Sequence, residues 1–267
     1  ALYFNIDHLD LNQISTLSFI CSLLGNVSTI KHSAKDLSTK IRLLCGTMNY
    51  SINTYEKTNK ENQVYFKATF STLEENEQEA LQLLVEILQE SVFDQEKMIR
   101  DILKQRIISL KQAITMSGHS LSMKRVLAMV SSSGVIDEYS SGIAYYKWLK
   151  ELDDHFDFVA LKQKLESVYQ NVCFYNRLTL SFTGNDDTNL EKQALYLKET
   201  LKISDALEKA IIKPFSIKKE GIIIPSDIAY ASKGGYLLET SKITPLASNI
   251  ISLAYLWNVV RVQGGAY

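Results

Sequence analysis

The chain has 267 residues, of which 46% are apolar and 22% are charged, so intrinsic disorder is excluded and a sizeable buried core is expected. Its 29 basic and 30 acidic side chains give a net charge of −1, which provides no electrostatic attraction for nucleic acid or for an anionic membrane. No apolar run reaches the roughly 20 residues that a membrane-spanning helix requires. The composition predicts a globular protein with neither nucleic acid nor membrane as a partner.

Three cysteines, Cys21, Cys45 and Cys173, are widely separated in the sequence. They are too few and too scattered for a disulfide framework or a Cys-x-x-Cys metal site. We therefore predict that they are reduced, small core residues. Because the first residues also lack the pattern of a secretion signal, a cytoplasmic protein is expected, or one of an organelle matrix if the source is eukaryotic.

Apolar and polar residues alternate with period two at residues 1–7, 48–54, 64–70 and 178–182. Such alternation predicts strands with one buried and one open face. Apolar stripes with helical spacing lie elsewhere, and Asp94 is placed to cap one of these helices. The predicted helices are 11–24, 34–44, 80–92, 99–114, 121–130, 145–152, 158–172 and 189–201.

Helices grouped in runs around antiparallel strands predict a two-layer α+β domain whose antiparallel-rich sheet is covered on one face by helices. This domain is expected to close near residue 202. Residues 203–220 are rich in Lys and include Pro214, as is typical of a linker. A predicted strand at 221–230 and a predicted helix at 246–260 repeat the order of residues 2–24, so a second, truncated copy is expected from 221 to 267. Both chain ends interrupt a predicted element, which indicates a fragment.

The common catalytic and nucleotide-binding motifs are absent from the sequence, including the P-loop, the nucleophile elbow and His-x-x-Glu-His. The four histidines lie far apart, without zinc-ligand spacing. His119 stands at a predicted helix start, where a capping or packing role is favoured over a functional one. The acidic pairs Asp153–Asp154 and Asp186–Asp187 are interpreted as helix caps or turns. The aromatic run 145–148 is interpreted as core packing.

The last seven residues, Arg-Val-Gln-Gly-Gly-Ala-Tyr at 261–267, differ from the rest of the chain. Arg261 ends an apolar helix, a Gly-Gly turn follows, and Tyr267 comes next. A fixed cation and a phenol near a loop that a ligand can approach could hold a peptide carbonyl and stabilise the oxyanion of acyl transfer. An Arg in this position also interacts favourably with a helix C-terminus, so the pattern alone leaves both interpretations open.

This segment resembles the Arg-Val-x-Gly-Gly-Ala-Tyr motif in the C-terminal half of the pitrilysin/insulysin-like zinc metallopeptidases, in particular the presequence protease/falcilysin subfamily. Two further stretches are similar to that subfamily: Ser-Gly-His-Ser at 117–120, and Gly-Ile-Ala-Tyr-Tyr-Lys-Trp-Leu at 142–149 with the following Glu151–Leu152. The order of predicted elements also resembles one domain of that family. The resemblance extends over essentially the whole chain.

The resemblance implies a pitrilysin/LuxS-like metallohydrolase-type fold. Enzymes of this family have four related α+β domains in two halves that close around an unstructured peptide. Their first domain binds zinc through His-x-x-Glu-His and a distal Glu. By resemblance, residues 1–202 form the non-catalytic third domain, 203–220 a linker, and 221–267 the start of the fourth domain. The parent protein is then a zinc metalloendopeptidase, and the N-terminal half of the same parent chain is an expected partner.

For this chain the resemblance implies that Arg261 and Tyr267 bind the substrate backbone and stabilise the tetrahedral intermediate. The predicted helix 11–24 contains no His and no Glu, so this chain is expected to bind no zinc and to be inactive alone. Zinc would be held by a domain outside it. Self-association through the truncated half-domain is a further expectation.

Two alternatives stay open at this stage. The parent could be a catalytically inactive pitrilysin-like scaffold or processing-complex subunit that lacks the zinc motif. The chain could also be a free-standing α+β binding module. The presence of His-x-x-Glu-His elsewhere in the parent gene distinguishes the first alternative from an active peptidase.

Overall fold

The computed structural model describes residues 1–56, 62–184, 189–225, 227–235 and 243–266. The chain forms two compact units, Ala1–Lys233 and Gly234–Tyr267. The predicted domain boundaries at residues 202 and 221 stay predictions.

The first unit combines four strands with nine helices in the described ranges. Its elements are β1 (Leu2–Asn5), α1 (Leu11–Leu23), α2 (Ala34–Leu44), β2 (Cys45–Glu56), β3 (Asn62–Thr72), α3 (Glu77–Glu90), α4 (Glu96–Met116), α5 (Gly118–Leu127), α6 (Ser132–Ser141), α7 (Ile143–Asp154), α8 (Phe158–Tyr169), β4 (Leu178–Leu180) and α9 (Leu190–Thr200). Short 3₁₀ turns at Glu74–Asn76 and Tyr175–Arg177 precede α3 and β4.

The four strands form one antiparallel sheet in the order β2-β3-β1-β4. Alternate residues of β1 and β3 are buried, among them Phe4 and Phe66, whose rings stack with centroids 6.2 Å apart. The intervening residues, such as Tyr3 and Lys67, lie on the opposite face and are only partly buried. The predicted α+β fold with an antiparallel sheet and one covered face is therefore confirmed.

Helix α1 lies at the centre of the helical layer and packs against β2, α4, α6 and α8. Asp10 starts it with a capping box, because its Oδ1 accepts from the backbone N of Gln13 (2.8 Å) and the Gln13 side chain accepts from the Asp10 N (2.9 Å). Eight of its thirteen residues are buried. An apolar sequence on every side of this helix matches its position between several neighbours.

The starts of two helices differ from the prediction. Asp94 caps no helix: α4 begins at Glu96 after Gln95, whose side chain instead donates to Ser28 Oγ. Helix α6 has no counterpart in the prediction, because its sequence of serines and a glycine is typical of a loop. Ser131 starts α6 by accepting from the backbone N of Gly134 (3.0 Å).

Residues 203–233 contain no helix and no strand in their described part. The predicted strand at 221–230 is therefore wrong as far as the structure describes these residues. A strand requires a neighbouring strand to accept its hydrogen bonds, whereas this segment bonds to the first unit's helices, for example from Tyr230 Oη to the carbonyl of Thr115 (3.1 Å).

The second unit contains α10 (Thr244–Ile250), with Pro245 in its first turn, and a helix with π-type hydrogen bonding over Ile251–Gln263. Together they contain the predicted helix 246–260. No residue of the π-helix is buried, and large apolar side chains such as Leu253 and Trp257 are about half exposed.

Candidate functional site

Arg261 lies in the last turn of the π-helix, as the sequence predicted. Its guanidinium carbon is 4.2 Å from the centre of the Trp257 ring, one turn earlier. A cation over an indole face is attracted by the electron density of the ring. The contact restricts the orientations of an otherwise exposed guanidinium.

The glycine pair after Arg261 ends the helix. The backbone N of Gly264 donates to the carbonyl of Val259 (3.1 Å), and the N of Gly265 donates to the carbonyl of Arg261 (3.1 Å). A side chain at Gly264 would place its Cβ 2.6 Å from the carbonyl oxygen of Val260, and Gly265 has a φ of +66°. Both positions therefore favour glycine for steric and conformational reasons.

Tyr267 lies outside the described residues. The structure thus places Arg261 at the predicted helix end but does not bring Arg261 and Tyr267 together. Their roles in binding and transition-state stabilisation stay predictions.

His119 lies at the start of α5, where its ring packs against Tyr230 with centroids 6.0 Å apart. The preceding residue pair, Ser117–Gly118, makes no side-chain capping hydrogen bond. The packing interpretation fits this geometry.

The acidic pairs require one correction. Asp153 and Asp154 end α7 and do not begin a helix; Asp157 is the cap of α8, accepting from the backbone N of Ala160 (3.1 Å). Asp154 instead pairs with Lys150 one turn earlier (3.2 Å). The pair at 186–187 lies outside the described residues.

The aromatic run 145–148 packs in the core, as predicted. Tyr145 is fully buried and its ring stacks on Trp148 at 6.0 Å. The Trp148 Nε1 donates to Asn12 Oδ1 (3.0 Å), and Lys164 lies over the other part of the same aromatic cluster, 5.2 Å from the Trp148 ring centre. These contacts leave no open stacking surface at Tyr145.

The three cysteines are free thiols. Cys173 is buried, and Cys21 and Cys45 are partly buried. Burial raises the pKa of the Cys21 thiol to about 12 and also raises the pKa of Cys173. Since the thiolate is the reactive form, these two side chains behave as apolar core residues at neutral pH.

Within the described ranges, no group of three or more His, Cys, Asp or Glu side chains is arranged to hold a metal ion. Helix α1, which takes the place of the zinc helix in the resemblance, carries no His and no Glu. The described residues therefore do not fit a zinc site.

A cleft of about 840 Å³ lies at one end of the sheet, in the first unit. It is lined by residues of mixed polarity, among them Lys67, Glu77, Phe182 and Gln193. Its volume is typical of small-molecule pockets, but it contains none of the predicted site residues.

A buried charge cluster around Arg125 has no counterpart in the sequence prediction. Arg125 Nη1 donates to Glu138 Oε1 (3.2 Å), and its Nε and Nη2 donate to the two carboxylate oxygens of Glu220 (2.6 and 3.0 Å). Glu138 has no exposed surface, and its Oε1 also accepts from the backbone N of Ala144 at the start of α7 (2.9 Å). Glycine occupies position 142, where a Cβ would lie 2.2 Å from Glu138 Oε2.

These hydrogen bonds from Arg125 lower the pKa of Glu220 to about 2. The partners in the cluster are separated by 95 and 13 residues along the chain. No local sequence pattern could have indicated a contact over 95 residues.

A second cluster joins the loop before α2 to α3. His32 Nδ1 lies 2.7 Å from Glu86 Oε1, and the Thr29 hydroxyl also donates to this oxygen. Burial acts to raise the pKa of Glu86, but the hydrogen bonds from His32 and Thr29 outweigh it, so that the pKa is lowered. The arrangement fastens the loop to the helix.

No helix in the described part of the chain is long and apolar enough to cross a membrane.

Comparisons with known proteins agree with the motif-based resemblance. The family of segments associated with peptidases of family M16, subfamily C, matches residues 1–152. Protein HypA of Clostridium perfringens is 26% identical over 99% of this chain and 28% of its own length. Presequence protease 1, chloroplastic/mitochondrial, of Arabidopsis thaliana is 25% identical over 68% of this chain and 18% of its own length.

Among solved structures, the first half of the periplasmic protease PqqL of Escherichia coli aligns with a TM-score of 0.50 and 17% identity, covering 80% of this chain and 44% of that one. At this identity the likeness supports the fold alone. The names of these relatives refer to mitochondria, chloroplasts and the periplasm, so the expected cytoplasmic location of this chain stays a prediction.

The chain spans about a quarter of the length of the curated relatives that it matches. More than half of the chain matches a single family, and curated relatives along its length include a presequence protease. The resemblance to pitrilysin-like peptidases is thereby confirmed, and the chain belongs to the family associated with the subfamily C peptidases of family M16.

Proposed function

We propose that this chain is part of the C-terminal half of a zinc-dependent oligopeptidase of the presequence-protease type, in which it contributes substrate binding and chamber closure. The observation that supports this most directly is the end of the π-helix, where Arg261 is followed by Gly264 and Gly265 in a conformation that stops the helix. Zinc would be bound by a domain outside this chain, and this chain alone would not cleave peptides.

The chemistry of Arg261 suits this role. A guanidinium stays charged at every physiological pH and offers several donors in a planar fork. Aimed at a peptide carbonyl, it stabilises the negative charge that develops on the oxygen in the tetrahedral intermediate. Its contact with Trp257 reduces the side-chain entropy that binding would otherwise cost.

Tyr267 would supply a phenolic hydrogen-bond donor two residues after Gly265. The substrates are expected to be unstructured peptides, because both proposed contacts are with the peptide backbone. In this proposal the N-terminal half of the parent completes the site.

Turnover of an unstructured peptide by the full-length parent tests the proposal. We expect Arg261→Ala and Tyr267→Phe each to lower kcat/KM, with Arg261→Ala losing on the order of 10²–10³-fold, as for the loss of one oxyanion donor. The zinc content, measured by atomic absorption, should stay full in both variants. Arg42→Ala is the matched control, since Arg42 is an exposed arginine on α2 that bonds only to Ser38 within its own helix among the described residues.

Unchanged turnover in both variants would contradict the assigned roles. A wild-type parent that neither binds zinc nor cleaves peptides would favour the alternative of an inactive pitrilysin-like scaffold or processing-complex subunit.

A further inference from the structure

Residues 203–233 lie along the surface of the first unit without forming a helix or strand in their described part. Near its start, the segment is fastened to the sheet side of the unit. The backbone N of Ser204 donates to Asn176 Oδ1 (3.0 Å), and the N of Ala210 donates to the carbonyl of Asp7 (2.8 Å). Both contacts join it to residues far away in the sequence.

The middle of the segment is fastened to α5 and α6. The backbone N of Phe215 donates to the carbonyl of Ala128 (2.8 Å), and the Phe215 ring lies edge-on to Tyr139 at 6.3 Å. The guanidinium of Arg125 lies 4.8 Å from the centre of the Phe215 ring. One cation therefore contacts the segment through a ring face and, at Glu220, through a carboxylate.

The ion pair between Arg125 and Glu220 is well suited to hold the segment. It is bidentate, and the two side chains are only 17% and 24% exposed. Arg125 is itself fixed from behind by the buried Glu138. A bidentate pair with one preorganised partner is among the stronger surface interactions.

The end of the segment is fastened to the junction of α4 and α5. Tyr230 Oη donates to the carbonyl of Thr115 (3.1 Å), and the hydroxyls of Ser232 and Ser122 are 2.7 Å apart. The second unit begins two residues after Ser232, at Gly234. The path into the second unit therefore leaves the first unit from a fixed point.

We infer that Arg125 and Glu220 are positioning residues: they hold residues 203–233 on α5 and α6, so that the second unit starts from a fixed point. A free linker of this length would have an end-to-end distance of about 30 Å. A group that stabilises a transition state has to be placed within about 1 Å. As far as it concerns turnover, this inference rests on the proposed function of Arg261.

Hydrogen exchange on the 267-residue chain tests the anchoring without reference to activity. In Glu220→Gln, the exchange of the backbone amide of Phe215 should be faster by about fivefold, as expected for the loss of roughly 1 kcal/mol. Glu208→Gln is the matched control, because Glu208 is an exposed acid in the same segment with no ion pair among the described residues. Equal exchange in both variants would overturn the inference.

A disulfide tests whether the segment stays in place during turnover. Ser122→Cys with Ser232→Cys should form one when oxidised, since the two hydroxyls are already 2.7 Å apart. In the full-length parent, Glu220→Gln should lower kcat more than it raises KM. Oxidation of the double cysteine variant should restore kcat in the Glu220→Gln background. The single cysteine variants are the controls.

If the oxidised disulfide variant instead loses turnover with Glu220 intact, the segment has to leave α5 during the reaction and the inference is wrong. A wild-type parent without peptidase activity would defeat the proposed function, whereas the exchange result would still decide whether Arg125 and Glu220 anchor the segment.

Discussion

Helix α1 (Leu11–Leu23) and the π-helix (Ile251–Gln263) have similar apolar sequences but opposite surroundings. Eight residues of α1 are buried between a strand and three other helices, whereas no residue of the π-helix is buried. The comparison shows that an apolar helical sequence does not determine burial, because burial depends on which elements the rest of the chain places around the helix. The two units should therefore respond very differently to the same kind of substitution.

The largest difference is expected for a truncated apolar side chain. Phe66 is 1% exposed and stacks between Phe4 and Tyr50, so Phe66→Ala should lower the free energy of unfolding by about 3–5 kcal/mol. Leu253→Ala in the π-helix is the matched substitution at a position 64% exposed, and should change it by no more than about 0.5 kcal/mol. Urea denaturation followed by circular dichroism measures both. Similar losses in the two variants would mean that Leu253 is covered in solution, as in the predicted self-association.

A smaller effect is expected at the start of α1. Asp10→Ala removes the acceptor for the Gln13 amide and should cost about 1 kcal/mol. Asp10→Asn keeps the acceptor and is the control, with an expected loss of a few tenths of a kcal/mol. If both variants lose the same stability, the charge of Asp10 and not its hydrogen bond stabilises the helix.

The smallest effect is the pH dependence from Glu220. Its folded pKa of about 2 lies below the ordinary value of 4.5, so folding favours the ionised form. The resulting stabilisation is fully present above about pH 4.5 and is lost as the pH falls towards 2. Because the pair lies near the surface, the change should be below about 1 kcal/mol. Denaturation between pH 2 and pH 6 should show a flatter acid limb for Glu220→Gln than for the wild type, and identical limbs would contradict the assignment.

Much of the first unit's fold could be predicted from the sequence, because period-two and helical stripes directly reflect which side chains are buried. The strands at 48–54 and 64–70 and the helix 34–44 correspond to β2, β3 and α2. Helix α6 could not be predicted this way: its serines and Gly134 favour a loop, and packing against α1 and α5 overrides that preference.

The candidate site was predictable only where its signal is local. Arg261 and the Gly-Gly turn form a contiguous motif, and the helix end explains why glycines stand there. The contact of Arg125 with Glu220 joins residues 95 positions apart, which only the folded chain brings together. Predicted caps failed for a similar reason, since Gln95 next to Asp94 bonds to the distant Ser28.

The close approach of position 142 to the carboxylate of Glu138 has a consequence for the evolution of this family. The two positions share one small volume, so a mutation that adds a side chain at Gly142 displaces the carboxylate from the N-terminus of α7. Such a change can be accepted only together with a shorter residue at position 138, and Arg125 then loses its inner partner. We expect positions 125, 138 and 142 to covary among related sequences, with an acidic residue at 138 wherever glycine occupies 142.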